Sequence, residues 1–485
     1  MIVHDLFLPS PLLALSAGTM VLLASIAWRR SAARSLSIGL ITFLAALALT
    51  GRHVGSAPPG TVTLFIQDRW ADYNGILIVL SSISILLMSW RDLARDPAHP
   101  ADESALLLLT GTLGAVAMVF SANYIPFFLG LEILGISLLG LVASRRLRFP
   151  EGCEAAMKYL ILSGLSSAIL LFGAGLAYAV TGSLHFTLPV AAGSPGIQTA
   201  ATIMILIGIF FKLSAVPFHL WLPDVMEGAP VPVAAFIAMV SKIAIFSSLV
   251  RFFGTGHLPF YMQSLMPAVI ILTILGGNLQ ALQQTSFTRL LACSSIAHVG
   301  YLLIAVLSPG QLQSGVITIY LAAYTASTLG VFAIISAFGS PGHPDGTEIA
   351  DWKGLFSTRP FLAVTLSLML LSLAGIPPGI GFFAKFGIIA TGVERQHDLL
   401  LAVLVTGSII GLYYYLNIIR VMTGAATPLM VPPRTRQPEL TVLVTVLTII
   451  VIIGGLFPAR LLRPLLPAPA MTPPYQDVMK ASRSG

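Results

Sequence analysis

Charge is what this 485-residue sequence has least of: Asp, Glu, Lys and Arg make up 9% of it, where soluble globular domains carry about 25%. With 56% hydrophobic residues and a mean hydropathy of +0.91, a soluble chain is excluded, and no loop is long enough to hide a soluble domain. Cysteine is nearly absent too. Cys153 and Cys293 stand far apart and form neither a metal-type spacing nor a disulfide framework. There is no G-x-G-x-x-G after a strand, no P-loop, no C-x-x-C and no set of spaced histidines. The sequence therefore predicts no nicotinamide, flavin, iron–sulfur cluster, nucleotide or metal bound by this chain. Acids are scarcest inside the apolar runs, where Glu132 is the only one of nineteen to fall in mid-run. The net charge of +7 lies mostly in loops and reports topology, not nucleic-acid affinity.

What is present is a succession of long apolar runs. Crossing a bilayer core takes about 20 apolar residues in a helix. Fourteen runs are candidates: 10–28, 34–50, 73–90, 104–121, 124–143, 155–181, 199–220, 230–253, 264–283, 287–307, 314–338, 360–391, 398–424 and 439–457. They predict an all-α polytopic membrane protein of about 14 transmembrane helices. Of the 26 Lys and Arg, fourteen fall in odd-numbered loops, among them Arg145, Arg146, Arg148, Lys353, Arg434 and Arg436. The even-numbered loops hold four: Arg52, Arg69, Arg251 and Arg395. Cationic loops stay cytoplasmic, so the odd loops are expected there, with both termini outside. Arg29, Arg30 and Arg34 follow the first run and no Lys or Arg precedes it. That is the reverse of a cleaved signal peptide, so the run is expected to remain as a span. Trp28, Trp70, Trp90, Trp221 and Trp352 all fall at predicted span ends, where an interfacial belt would hold them.

Two spans are interrupted. Leu213–Ser214–Ala215–Val216–Pro217 breaks the seventh, and Gly375–Ile376–Pro377–Pro378–Gly379–Ile380–Gly381 the twelfth. Proline removes a backbone donor and clashes with the preceding turn. In lipid the freed carbonyls need protein or water partners, so such breaks belong in the protein interior. A lone proline kink would mean no more than packing. Two lysine-flanked breaks point to a transport site, as paired discontinuous helices do in repeat-built transporters.

Glu132, Lys158, Lys212, Lys242 and Lys385 sit within these runs. A charge at mid-bilayer costs roughly 2.5–3.5 kcal/mol on insertion scales, so each is expected to face a protein interior or a hydrated path. Glu132 lies about 12 Å along the fifth helix from Tyr124, near the midplane; a static ion pair that orients helices is its plainer reading. Lys212 precedes the first break, where unwound backbone and water can surround it, and is the leading candidate for taking up and releasing protons. Lys242 lies about 15 Å beyond Pro232, with Ser241 beside it to supply a hydroxyl. Lys385 follows the second break on a span running outward, toward the exit side. Lys158 is one turn from Glu154 near a span end, and a snorkelling, paired lysine accounts for it as well as proton entry does. His298 has an unperturbed pKa near 6.5 that suits a relay, although membrane histidines also serve simply to bond helices together. His219, beside Trp221, is expected at the interface, and Tyr301, Tyr320 and Tyr324 are candidates to hold water between charged groups.

Five stretches carry a resemblance: Phe127–Leu138 (FFLGLEILGISL), Phe211–Asp224 (FKLSAVPFHLWLPD), Ala229–Phe246 (APVPVAAFIAMVSKIAIF), Arg289–Leu303 (RLLACSSIAHVGYLL) and Leu371–Phe386 (LSLAGIPPGIGFFAKF). They resemble the antiporter-like membrane subunits of respiratory complex I, over essentially the whole chain. Within that family they point to the subunit N branch of bacterial type I NADH:quinone oxidoreductase; Lys385 stands where the M branch is expected to carry glutamate. The related subunits of multisubunit cation/proton antiporters and membrane-bound hydrogenases share these motifs and stand as the alternative.

The resemblance implies a proton-translocating subunit that couples electron transfer from NADH to quinone, done in other subunits, to proton pumping through a Glu/Lys relay. It implies two inverted five-helix repeats, 104–253 (spans four to eight) and 264–424 (spans nine to thirteen), each with a broken helix. N-terminal helices in 1–121 would lead into the first repeat, and a last helix with a Pro-rich tail would occupy 439–485. Glu132 and Lys212 would form a modulating ion pair, Lys242 the link to the second repeat and Lys385 the terminal proton carrier. The assembly would use NADH, FMN, iron–sulfur clusters and a quinone, none held by this chain. Its partners would be an adjacent antiporter-like subunit and small membrane subunits, in the bacterial inner membrane.

Overall fold

The computed structural model describes residues 9–53, 64–95, 101–144, 150–186, 195–253, 260–310, 312–338, 348–425 and 438–457. Arg145, Arg146, Arg148, Arg434, Arg436 and the Pro-rich tail after 457 lie outside the described residues. Three N-terminal helices come first: α1 (Ser10–Trp28), α2 (Ala32–His53) and α3 (Arg69–Arg95). A group of five spans follows: α4 (Ala101–Val119), α5 (Tyr124–Ala143), α6 (Pro150–Thr181), α7 (Pro195–Leu213) with its short continuation α8 (Trp221–Gly228), and α9 (Val231–Phe253). The second group is α10 (Phe260–Ala281), α11 (Phe287–Leu307), α12 (Gln313–Phe338), the single turn α13 (Leu355–Thr358), α14 (Pro360–Ala374) with α15 (Ile380–Glu394), and α16 (Asp398–Thr423). The last helix is α17 (Pro438–Leu456). Thirteen of these are long and apolar enough to cross a membrane. The remaining predicted span, 360–391, is divided between α14 and α15. The break thus falls in the fourth helix of each group of five.

Apolar helices gain little by hiding from apolar lipid, so their packing depends on close backbone approach at small residues. Gly114 of α4 and Gly130 of α5 illustrate it. A Cβ on either would lie 2.6 Å from the other's carbonyl oxygen, and this contact brings the helix bearing Glu132 into the first group. The innermost helices are α11 and α9, whose spans are 100% and 94% buried, against 28% for α1. These two buried helices carry His298 and Lys242.

Both interruptions are answered inside the protein. α7 stops at Leu213, and Ser214 adopts a left-handed φ of 60°. The indole of Trp221 donates to the Phe211 carbonyl at 3.1 Å, and Val216 N–H donates to Thr273 Oγ1 on α10 at 3.0 Å. α14 ends on Gly375 with φ of 84°, a conformation that costs glycine little. Gly381 N–H then donates to Ser372 Oγ at 3.3 Å. Backbone groups freed in an apolar setting thereby find partners, as they must.

The tryptophan belt holds only in part. Trp28 is exposed, but Trp221 and Trp352 are buried. Trp221 stacks on Phe211 at 5.5 Å and Trp352 on Phe338 at 4.4 Å, so ring packing and the break's carbonyl decide their places.

Candidate functional site

Lys212 lies in the last turn of α7, and a buried ammonium there needs acceptors. It donates to Ser163 Oγ of α6 at 2.6 Å and lies 6.0 Å from the centroid of the Tyr159 ring. α5 crosses the same spot: a Cβ on Gly135 would lie 3.6 Å from Lys212 Nζ. Glu132 is one turn away on that helix, within electrostatic range of Lys212 and Tyr159. The two are near but not joined. Lys212 is committed to Ser163, and one carboxylate oxygen of Glu132 is buried without a hydrogen-bond partner.

A second group gathers where α9, α11, α12 and α15 meet. Lys242 donates to Ser295 Oγ of α11, and Tyr324 of α12 donates to the same oxygen at 2.6 Å. Three residues along α11, His298 Nδ1 hydrogen-bonds Tyr320 at 2.7 Å, and its ring lies 5.0 Å from that of Tyr324. Beside them is a cavity of about 10 Å³ lined by His298, Tyr320, Tyr324, Ser327, Ser372 and Lys385 among others. That size is near the least that holds one water, and its walls supply the two to four polar partners a water needs.

Lys385 closes the far side. It donates to the Ala374 carbonyl, freed at the end of α14, at 2.8 Å, and its ammonium sits 5.1 Å from the Tyr301 ring centroid. The C-terminal end of a helix favours a cation. Tyr301 is steadied from behind: Asn278 of α10 donates to its hydroxyl at 3.1 Å and accepts from Tyr414 at 3.2 Å. Ser295, Tyr324 and the cavity thus link Lys242 toward Lys385. No hydrogen bond between described residues joins the Lys212 group to the Lys242 group.

Three local expectations change. Ser241 does not serve Lys242: its hydroxyl donates back to the Ile237 carbonyl at 2.6 Å, the usual habit of serine within a helix. His219 is buried in the first break, not interfacial, with its Nε2 2.6 Å from the Gln280 amide nitrogen. Lys158 makes the expected pair with Glu154 at 2.8 Å but also pairs with Asp224 at 2.7 Å. Asp224 lies outside the candidate spans. Burial acts to raise its pKa, yet hydrogen bonds from Lys158 and Arg289 outweigh that and hold the carboxyl below its ordinary range.

Ser163, Tyr159 and Ser295 escaped the sequence reading. Ser294–Ser295, one turn before His298 in a mostly apolar stretch of α11, is the available signal; nothing marks Ser163 apart from other helical serines.

Residues 121–411 match the family model described as NADH:quinone oxidoreductase/Mrp antiporter, TM. The NADH-quinone oxidoreductase subunit N of Methylococcus capsulatus is 40% identical over 475 residues, covering 96% of this chain and 94% of that protein. A chain in the structure of respiratory complex I from Thermus thermophilus with bound aureothin aligns with a TM-score of 0.82 at 28% identity, covering 93% of this chain and 98% of that one. A chain of the Mrp complex from Dietzia sp. DQ12-45-1b shares the fold, with a TM-score of 0.81 at 20% identity over 96% of each chain. The matched segment contains both broken helices, Glu132 and the three buried lysines, and at this identity and coverage the chain belongs to the NADH-quinone oxidoreductase subunit N family of antiporter-like membrane proteins.

Proposed function

We propose that this chain is a proton-translocating membrane subunit of a bacterial NADH:quinone oxidoreductase in the inner membrane, with Glu132, Lys212, Lys242 and Lys385 as its relay. NADH, FMN, iron–sulfur clusters and quinone are handled by other subunits. An adjacent antiporter-like subunit and small membrane subunits flank it. The repeats are assigned to 104–253 and 264–424, and the position of each break within its group supports that division. Lys158 belongs to a charged rim, where it serves proton entry only indirectly.

The observation that carries the reading is the run Lys242–Ser295–Tyr324–cavity–Lys385. Hydroxyls both donate and accept, and their protons turn to suit. Tyr324 now donates to Ser295, so its hydroxyl turns toward the cavity before a proton from Lys242 follows. Once Lys385 has released its own proton outward and stands as a neutral amine, His298 and a cavity water carry the proton the remaining way to it.

The drive enters at the first break. Lys212 resting on Ser163, with a Glu132 oxygen unpartnered, is the separated form of a pair that can close. At an effective dielectric of about 20, bringing any two opposite charges from about 8 Å to about 4 Å changes their energy by about 2 kcal/mol, the scale on which closing such a pair acts. Moving one charge through 100 mV takes about 2.3 kcal/mol. A shift of a few ångströms, transmitted from the redox subunits, is therefore of the right size.

Lys212→Ala in the assembled complex tests the proposal. Proton uptake by inverted membrane vesicles should be mostly lost; full uptake per NADH oxidised would rule out the role given to Lys212.

A further inference from the structure

A cluster of five charged side chains lies away from the relay, at the rim that the cationic loops assign to the cytoplasm. Asp224 of α8 accepts from Lys158 Nζ of α6 at 2.7 Å and from Arg289 Nη1 of α11 at 2.9 Å. Each cation also holds a second acid: Lys158 pairs with Glu154 at 2.8 Å and Arg289 with Glu227 at 2.8 Å. Asp224 touches both cations, and so connects a helix of the first group to one of the second.

The helices it joins are those that supply the lysines' partners. Ser163, on which Lys212 rests, lies about 7 Å beyond Lys158 along α6. Ser295, which holds Lys242, lies about 9 Å beyond Arg289 along α11. α8 itself is fastened through Trp221 to the carbonyl of Phe211, the neighbour of Lys212, and leads through Ala229 and Pro230 into α9, which carries Lys242. A helix of two turns has little stability of its own, so its neighbours set its position.

We infer that Asp224 is a positioning residue for proton transfer: its bridge from Lys158 to Arg289 seats α8 between α6 and α11, so that a shift at the first break is felt at Ser295. The inference rests on the relay reading above.

Asp224→Asn opens the bridge but strands neither cation, because Lys158 keeps Glu154 and Arg289 keeps Glu227. Part-exposed pairs of this kind bias an equilibrium by roughly 1.4- to fivefold. The complex should therefore assemble, while proton uptake per NADH oxidised falls in inverted vesicles. Asp224→Glu keeps the carboxylate and should keep the ratio. Glu154→Gln removes an acid whose ion pair among the described residues lies within α6, and should leave the ratio unchanged. Arg289→Gln opens the bridge from α11 and should reproduce the fall, which covers any failure of Asp224→Asn to assemble. A wild-type ratio in either bridge variant overturns the inference, as does an equal loss in Glu154→Gln. Lys385→Met in the same vesicles separates the two readings. Unchanged uptake there sinks the relay, whereas loss there with normal uptake in Asp224→Asn sinks the bridge alone.

Discussion

Replacing Ser295 by alanine removes the one atom on which Lys242 and Tyr324 converge. Both donors are buried, with Lys242 3% and Tyr324 6% exposed, so water does not simply replace the lost acceptor. A hydrogen bond to a charged group is worth about 1.5–3 kcal/mol, which corresponds to about 10- to 150-fold in the rate of a step that needs it. The expected outcome is slower proton transfer between the two lysines, read as reduced proton uptake per NADH oxidised in inverted vesicles. NADH oxidation with an artificial electron acceptor measures how much complex has assembled, so the ratio is corrected for amount. Ser295→Thr keeps the hydroxyl. Its extra methyl in a filled core costs about 1–3 kcal/mol of stability, so Thr should lower the amount assembled while leaving the ratio near wild type. Normal pumping by Ser295→Ala, at normal amounts, would refute the argument that the proton passes this oxygen.

Other outcomes follow from the same contacts. Trp221→Phe keeps the stack on Phe211 but leaves its carbonyl without the indole donor; about 1 kcal/mol of stability should be lost, visible as a lower melting temperature of the solubilised complex. Gly114→Ala drives a methyl to within 2.6 Å of the Gly130 carbonyl oxygen, so α4 and α5 must separate, and assembly should fall far more than for Gly51→Ala, which meets nothing within 4 Å. The Asp224 carboxyl has a lowered pKa in the folded chain, so its contribution is present above the ordinary carboxylate range and disappears as pH falls through the lowered value. Melting profiles of wild type and Asp224→Asn should therefore differ near neutrality and converge in acid.

Membrane thickness and the cost of buried charge act locally along a chain, and for that reason much is legible in the sequence. The apolar helices, both breaks and the placing of Glu132, Lys212, Lys242 and Lys385 within apolar runs could be read from run length and from which residues interrupt it. Partnership could not. Ser241 adjoins Lys242 in sequence, yet the hydroxyl that meets Lys242 is Ser295, fifty-three residues on. Likewise Lys212 rests on Ser163, forty-nine residues back, and Trp221 and Trp352 turn inward although their sequence positions suggest an interface.

The amino-acid sequence by itself determined an all-helical membrane chain with two interruptions and ionisable groups at depth. Only the tertiary structure decided which hydroxyls, carbonyls and rings those groups face, and that Glu132 and Lys212 stand near each other without touching. The physical reason is that helices apolar on every side carry no periodic sign of which face packs inward. Their mutual orientation is set by small-residue contacts and polar bonds between distant segments, and these exist only once the bundle has formed.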